Sequence, residues 1–202
     1  FPLFVFSVPG VAVYDGERLF LIVFPLWALF IGRGGAVLWK RLEERVPQWS
    51  RASLLGLFLA AQGVGIYQLT PCWLSYFNAT VGGLSGAERL GFQVTYWGDS
   101  ITRELLMRTV EHVPAEATID VAPVLHPFQL AAWESQCPPL RQRNLKLKPL
   151  EGAAPSRYLL VYYRRDYLPG DWGQGPPGYR PNFQIIRQGV VLAGLYERDD
   201  AS

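Results

Sequence analysis

The sequence is poor in cysteine, histidine, methionine and charge. It has two cysteines, two histidines and one methionine among 202 residues. Only 18% of its residues are charged, whereas a typical soluble domain has about 25%. Two cysteines exclude a disulfide-rich miniprotein, and a net charge of +2 excludes a nucleic-acid binder that depends on bulk positive charge. An apolar content of 50% excludes an intrinsically disordered chain.

The scarcity of cysteine and histidine also argues against a metal site. Cys72 and Cys137 stand alone, and His112 and His126 lack the spacing of zinc ligands. We therefore predict no metal ligands in this chain. A disulfide between the two cysteines is an alternative to two free thiols, because an oxidising compartment would permit it.

The missing charge is concentrated in the first third of the chain. Residues 1–68 carry ten charged side chains, and the other 26 lie in residues 69–202. Residues 19–32 contain no charge, and residues 52–69 form a second apolar stretch with several small side chains. Small side chains let helices approach closely in a bilayer. A buried helix of a soluble core is the alternative for the first stretch.

We predict membrane-spanning helices at about residues 17–36 and 52–69. A partial membrane-spanning segment at residues 1–8 is a further alternative. The connector at residues 33–51 has five basic and two acidic side chains, so the positive-inside rule places it in the cytoplasm. Everything after residue 70 then lies on the other side of the membrane.

Residues 71–202 show the patterns of a separate domain with alternating strands and helices. The apolar run at residues 158–163 predicts its central strand, and Gln188-Gly189 predicts the turn of a hairpin. The fold class is therefore α/β, with transmembrane helices in residues 1–70 followed by a small three-layer α/β extracytoplasmic domain. The other predicted elements are strands at 92–96, 118–122 and 145–149, helices at 101–113 and 126–136, a loop at 167–182, and hairpin strands within 183–196.

One short motif suggests hydrolysis. Gly98-Asp99-Ser100 resembles the Gly-Asp-Ser block of serine esterases, in which the serine attacks an acyl carbon. Those enzymes need a histidine near the C-terminus, and no histidine follows His126. The alternative is a turn in which Asp99 or Ser100 caps the following helix.

Three ionisable residues lie at the outer mouth of the first predicted span. They are Asp15, Glu17 and Arg18, and such groups cost energy there unless they are solvated, paired or used. An arginine holds a phosphate through two parallel hydrogen bonds, which suits a lipid-phosphate donor. Plain anchoring at the membrane interface is the alternative.

Two stretches, within about residues 12–100, carry a family resemblance. They resemble bacterial polytopic membrane glycosyltransferases related to the protein O-mannosyltransferases, in a late membrane helix and in the segment just after the last one. The only methionine is Met107, and we expect the chain to be the C-terminal part of such a protein. The motifs are Tyr14-Asp-Gly-Glu-Arg-Leu-Phe-Leu21 with Phe24-Pro25, and Leu74-Ser-Tyr-Phe-Asn78 with Val81-Gly-Gly83 and Tyr96-Trp-Gly-Asp99.

The resemblance implies a reaction. Enzymes of this group move a sugar from a polyprenyl-phosphate donor to an acceptor hydroxyl at the outer face of the bacterial inner membrane. Their catalytic carboxylate lies in the first outer loop, which is absent here, so no catalytic residue is assigned. A divalent metal often assists the full-length enzyme, and no cofactor is expected in this fragment. The lipid-linked sugar donor and membrane lipids are the expected partners.

The resemblance also implies site residues by position. Arg18 is expected to contact the donor phosphate, with Asp15 and Glu17 as its neighbours. Tyr76 and Asn78 begin the outer domain beside the mouth of the active site, and this domain is expected to help choose the acceptor. The alternative from another class is a membrane-anchored extracytoplasmic binding module without catalysis.

Overall fold

The computed structural model describes residues 23–150, 156–169, 172 and 175–199. The chain divides into two compact units, residues 1–60 and 61–202. The boundary falls inside the second of two long helices, α1 (Val23–Glu43) and α2 (Gln48–Gln68).

In the first unit, a buried arginine fastens the end of α1 to the start of α2. Arg51 is 6% exposed, and its guanidinium lies 4.9 Å from the centre of the Trp39 ring. It donates a hydrogen bond of 3.4 Å to the Trp39 carbonyl and pairs with Glu43 at 3.8 Å. Because this charge is removed from water, the ring, the carbonyl and the carboxylate together replace its hydration.

The two long helices leave most of their large apolar side chains exposed. Among the described residues, none of the helices combines the length and hydropathy that a membrane crossing requires. The membrane spans predicted at about 17–36 and 52–69 are therefore unsupported, and residues 17–22 of the first lie outside the described residues. The partial span at residues 1–8 lies outside the described residues.

The second unit is built on a five-stranded mixed sheet with the order β2-β1-β3-β5-β4. β1 pairs in parallel with both β2 and β3, and β5 pairs antiparallel with β3 and β4. The α/β fold class is therefore correct for this unit. The strands are β1 (Thr118–Ala122), β2 (Lys146–Pro149), β3 (Tyr158–Tyr162), β4 (Tyr179–Arg187) and β5 (Val190–Arg198).

The helices of this unit cover one face of the sheet. Their buried side chains join a single core with Ile119, Leu160 and Tyr162 of the sheet. The helices are α3 (Gly83–Arg89), α4 (Arg103–His112), α5 (Phe128–Gln136) and α6 (Pro138–Gln142), with short 3₁₀ turns at Trp73–Ser75, Ala79–Val81 and Arg165–Tyr167.

Among the described residues, an irregular segment and no α-helix covers the other face. Successive strand residues point to opposite faces, so Leu159, Val161 and Tyr163 form a second core there. Leu168 and Trp172, from the segment after β3, pack against it. The predicted third layer of helices is therefore wrong: the described chain has two layers of regular structure and an irregular cover.

Most predicted elements of this unit are confirmed. The strand at 118–122 is β1, and the run at 158–163 is the central strand β3. The helices predicted from residues 101 and 126 begin two residues later, as α4 and α5. The hairpin turns at Gln188 and Gly189, whose φ angles of 46° and 79° suit the tight turn of twisted strands. The loop predicted at 167–182 ends earlier, because β4 starts at Tyr179.

The strand predicted at residues 92–96 is wrong. This segment is extended but joins no strand of the sheet. The alternation does not match burial either, because Val94 and the polar Thr95 are both buried while Phe92 and Tyr96 are exposed. Contacts with the helix-side core, and not a two-residue period, decide which side chains of this segment are buried.

Gly98 offers a test of the packing beneath this segment. Its φ is +73°, and an added Cβ would lie 2.4 Å from Cζ2 of Trp133. Gly91 has a φ of +82° with open space around it. We expect Gly98→Ala to lower the free energy of unfolding by about 1–3 kcal/mol more than Gly91→Ala, because only Gly98→Ala adds overpacking to backbone strain. Urea denaturation measures both, and equal losses would contradict this packing.

Candidate functional site

The second unit contains a cavity of about 360 Å³ beside the segment that follows β3. This volume is within the range of pockets that hold small ligands. Its wall combines apolar and aromatic side chains with a few polar groups. The described residues that line it are Glu88, Val94, Tyr163, Arg165, Leu168, Pro169, Trp172, Gln184, Gly189 and Val191.

The end of β3 and the segment after it form the aromatic wall. Tyr163 directly follows β3 and points to the loop-covered face, as the two-residue period of a strand requires. Trp172 is 9% exposed. Its amide donates to the Pro169 carbonyl at 3.1 Å, and its carbonyl accepts from the Gly175 amide at 3.0 Å. These turn hydrogen bonds hold the indole against the sheet.

A chain of neutral hydrogen bonds crosses the cavity wall. The hydroxyls of Tyr163 and Tyr196 lie 2.6 Å apart, and the Gln184 amide donates to the Tyr196 hydroxyl at 2.9 Å. Burial raises the pKa of Tyr163 above its ordinary value, and the hydrogen bond with Tyr196 raises it further. The Tyr163 hydroxyl therefore stays protonated at neutral pH and can act as a hydrogen-bond donor and acceptor.

The only ion pair among the described lining residues lies at the rim. Arg165 contacts the Glu88 carboxylate at 3.2 Å, and both side chains are substantially exposed. Such a pair contributes little stability, but each partner retains hydrogen-bonding capacity toward a ligand. The cavity thus offers aromatic surface, neutral hydroxyl and amide groups, and one polar edge.

No metal site accompanies this cavity in the described chain. Its histidine, cysteine and acidic residues form no group of three or more that would hold a metal ion. Cys72 and Cys137 are both free and buried, so the disulfide left open by the sequence is not formed. Burial, and then the nearby charge of Asp99, raises the pKa of the Cys72 thiol to about 11.

Of the site residues expected by resemblance, the structure describes Tyr76 and Asn78, and neither lines this cavity. Asp15, Glu17 and Arg18 are outside the described residues. The Tyr76 hydroxyl donates to the Gln62 side chain at 2.6 Å, while its ring packs against the helix-side core. Asn78 accepts from the Thr80 amide at 3.0 Å and caps the short 3₁₀ turn that follows. Tyr76 and Asn78 therefore perform local structural roles and do not line the cavity.

The Gly-Asp-Ser motif has the features of a structural turn. Ser100 is 0% exposed, whereas a nucleophile must be accessible to its substrate. The helix cap is Thr102, whose hydroxyl accepts from the Leu105 amide at 3.3 Å. Asp99 and Ser100, the predicted caps, are not used in this way. The Asp99 carboxylate instead accepts from the Leu74 amide at 3.2 Å and joins two segments.

Comparison with protein-family models, with curated proteins and with solved structures found no match to this chain. The resemblance to membrane glycosyltransferases therefore rests on the motifs alone.

Sequence reasoning missed the cavity. Tyr163, which follows β3, meets Tyr196 and through it Gln184, which lie on the two strands of the final hairpin. The available signals were the tyrosine at the end of an apolar strand and a lone tryptophan in a loop rich in glycine and proline. Neither signal identifies the residues that the tyrosine and the tryptophan contact, because these contacts depend on the order of the strands in the sheet.

Asp99 generates a pH-dependent stability. Burial raises its carboxyl pKa from 3.8 to about 6, against several backbone hydrogen bonds that lower it. The folded state therefore holds this proton more tightly than the unfolded state. The stabilisation that this proton gives the folded state is complete below about pH 4 and is lost as pH rises through about 6. We expect a fall in unfolding free energy on the order of 2 kcal/mol across this window.

Denaturation of the wild type, Asp99→Asn and Asp166→Asn between pH 4 and 7 measures this effect. Asp99→Asn should flatten the pH profile, whereas Asp166→Asn removes an exposed carboxylate and should leave the slope unchanged. An unchanged slope in Asp99→Asn would assign the pH dependence to another group.

Proposed function

We propose that this chain is the C-terminal portion of an integral-membrane glycosyltransferase. The enzyme would transfer a sugar from a polyprenyl-phosphate donor to an acceptor hydroxyl at the outer face of the bacterial inner membrane. In this proposal the catalytic carboxylate lies outside the chain, and residues 71–202 form an extracytoplasmic domain that helps choose the acceptor. The cavity beside Trp172 is the observation that carries the proposal.

The chemistry of the cavity suits a saccharide. A sugar ring has an apolar C–H face and a rim of hydroxyl groups. Trp172 and Tyr163 supply aromatic surface for the face, and Gln184 supplies an amide donor and acceptor for the hydroxyls. The Glu88–Arg165 pair offers further polar contacts at the entrance. Neutral lining groups of this kind favour an uncharged polyhydroxyl ligand over a strongly charged one.

The first unit supports a membrane location for the protein. Consecutive side chains on α1, Leu29, Phe30 and Ile31, are each at least 70% exposed. On α2, Leu57 and Phe58 are more than 60% exposed. Exposed apolar patches of this kind mark contact with lipid or with other protein segments. Further membrane helices of a polytopic enzyme, together with lipid, would cover them.

The same cavity also suits the alternative, a membrane-anchored binding module without catalysis. The described lining residues include one carboxylate, Glu88, which is paired with Arg165. They provide no separate general base beside a nucleophile. Transfer assays on the full-length protein therefore decide between an enzyme and a binding module, and binding assays on the chain test the cavity itself.

We expect the chain to bind neutral monosaccharides through Trp172. Titration with methyl α-mannoside, methyl α-glucoside and methyl α-galactoside, followed by calorimetry, measures this. Trp172→Ala and Gln184→Ala should each lower the affinity for the best ligand by about tenfold, since each removes contacts worth about 1–2 kcal/mol of binding free energy. The matched control is Trp73→Ala, which removes a 61% exposed indole outside the cavity. If Trp172→Ala leaves sugar binding unchanged, the cavity is excluded as the sugar site.

Arg18 provides a test of the transferase itself. In the full-length protein, Arg18→Ala should reduce turnover of a polyprenyl-phosphate sugar by about tenfold or more, because it removes a bidentate phosphate contact. Arg33→Ala removes a cation from the predicted cytoplasmic connector and should have a much smaller effect. Equal effects would reduce Arg18 to an interfacial anchor, and an absence of transfer in the full-length protein would favour the binding module.

A further inference from the structure

A second candidate site lies where the parallel strands β1 and β3 end. Ala122 of β1 pairs with Val161 of β3, so the carboxyl ends of the two strands are adjacent. The chain leaves β1 toward α5 on the helix-covered face, and it leaves β3 into the loop on the opposite face. Diverging connections of this kind open a crevice at the edge of an α/β sheet, where ligands commonly bind.

Arg164 lies at this edge, held between two tyrosine rings. Its guanidinium carbon is 4.5 Å from the centre of the Tyr167 ring and 5.3 Å from that of Tyr96. Both rings are exposed, at 53% and 40%. Cation–π contacts on two sides restrict the plane of the guanidinium before any ligand arrives. A preorganised arginine loses less entropy when it forms hydrogen bonds.

This guanidinium has no polar partner among the residues that the structure describes. Its Nε atom is buried without a hydrogen bond. Asp166, the nearest carboxylate along the chain, is exposed and does not pair with it. The adjacent Arg165, in contrast, pairs with Glu88 at 3.2 Å. An arginine that is oriented but lacks a carboxylate presents unused donors to an external anion.

The segments around Arg164 are rigidly connected. Buried Gln129 accepts from the amides of Leu125 and His126 at 2.8 and 3.0 Å, and it donates to the Trp97 carbonyl at 3.1 Å. Burial raises the pKa of Tyr162, while Gln129 and the positive charge of Arg164 act on the same hydroxyl in the opposite direction. Gln129 therefore joins the loop after β1 to Trp97, the residue that follows Tyr96.

Stacked rings form the wall on the β1 side. The His126 ring lies parallel to Trp97 at 5.8 Å and to Phe128 at 5.3 Å. Trp97 is the chain neighbour of Tyr96, whose ring contacts Arg164. The His126 imidazole is therefore stacked on the residue that follows this ring.

From these observations, we propose that Arg164 is the clamp of an oxyanion site of the phosphate class in the crevice at the ends of β1 and β3. Arginine forms two parallel hydrogen bonds to a phosphate, and the imidazole and phenol groups can donate to its remaining oxygens. The phosphate belongs to a soluble compound or to a lipid headgroup, and the chemistry of the clamp is the same for both. Arg164 does not line the cavity beside Trp172, although its chain neighbours Tyr163 and Arg165 do, so the two sites are tested separately.

The test uses the full 202-residue chain in detergent. Inorganic phosphate is titrated while the Nε–H resonance of Arg164 is followed by NMR, and calorimetry gives the affinity. We expect millimolar binding, a shift of that resonance, and a loss of at least about tenfold in Arg164→Gln, since a charge-assisted contact disappears. Lys146→Gln removes an exposed cation on β2 and should change the affinity less than about twofold.

A second arm replaces phosphate with phosphatidylcholine vesicles, with or without phosphatidylglycerol. Vesicle binding that requires phosphatidylglycerol and is lost in Arg164→Gln but kept in Lys146→Gln supports the site and assigns its phosphate to a lipid. Saturable binding of inorganic phosphate with the same mutational pattern supports the site for soluble phosphates. Equal losses in the two variants, or no binding in either arm, overturn the proposal. Arg164→Gln is also titrated with methyl glycosides. If it binds them like the wild type, a failure of phosphate binding concerns this site alone and leaves the sugar proposal standing.

Discussion

The burial of β3 on both faces is the constraint on which the second unit depends. All five residues of Tyr158–Tyr162 are buried, so the strand needs a cover above and below and a hydrogen-bonded neighbour on each side. β1 and β5 supply those neighbours. Because both backbone edges and both side-chain faces of β3 are satisfied by other segments, removing any one of these covers would expose apolar surface or unpaired backbone groups.

The two covers are unequal, and both candidate sites follow from that difference. On one face, helices pack their apolar sides into a continuous core. On the other face, an irregular segment with Leu168 and Trp172 covers a smaller core. A loop fills space less regularly than a row of helices, and a cavity remains beneath it. The same segment begins with Arg164 at the end of β3, which places a cation at the sheet edge.

Local patterns predicted much of this unit. β1 and the Gln188–Gly189 hairpin follow from short-range preferences that tertiary contacts do not oppose. Residues 92–96 show the limit of such patterns, because Val94 is buried without pairing in the sheet. The Gly-Asp-Ser motif predicted either a nucleophile or a helix cap at Ser100, and neither is found. Ser100 is buried, and Thr102 caps the helix. The number of layers was predicted wrongly although the loop at 167–182 was expected, because nothing local says which face of the sheet a connection covers.

The sequence by itself determined the α/β class of the second unit, its central strand and its final hairpin, since alternation, apolar runs and turn residues act over a few positions. Only the tertiary structure decided the sites. Tyr163, Gln184 and Tyr196 meet because β3, β4 and β5 are neighbours. Arg164 acquires its orientation from Tyr96, 68 positions earlier in the chain. Such proximity depends on strand order and on the path of loops, which are properties of the packed chain as a whole.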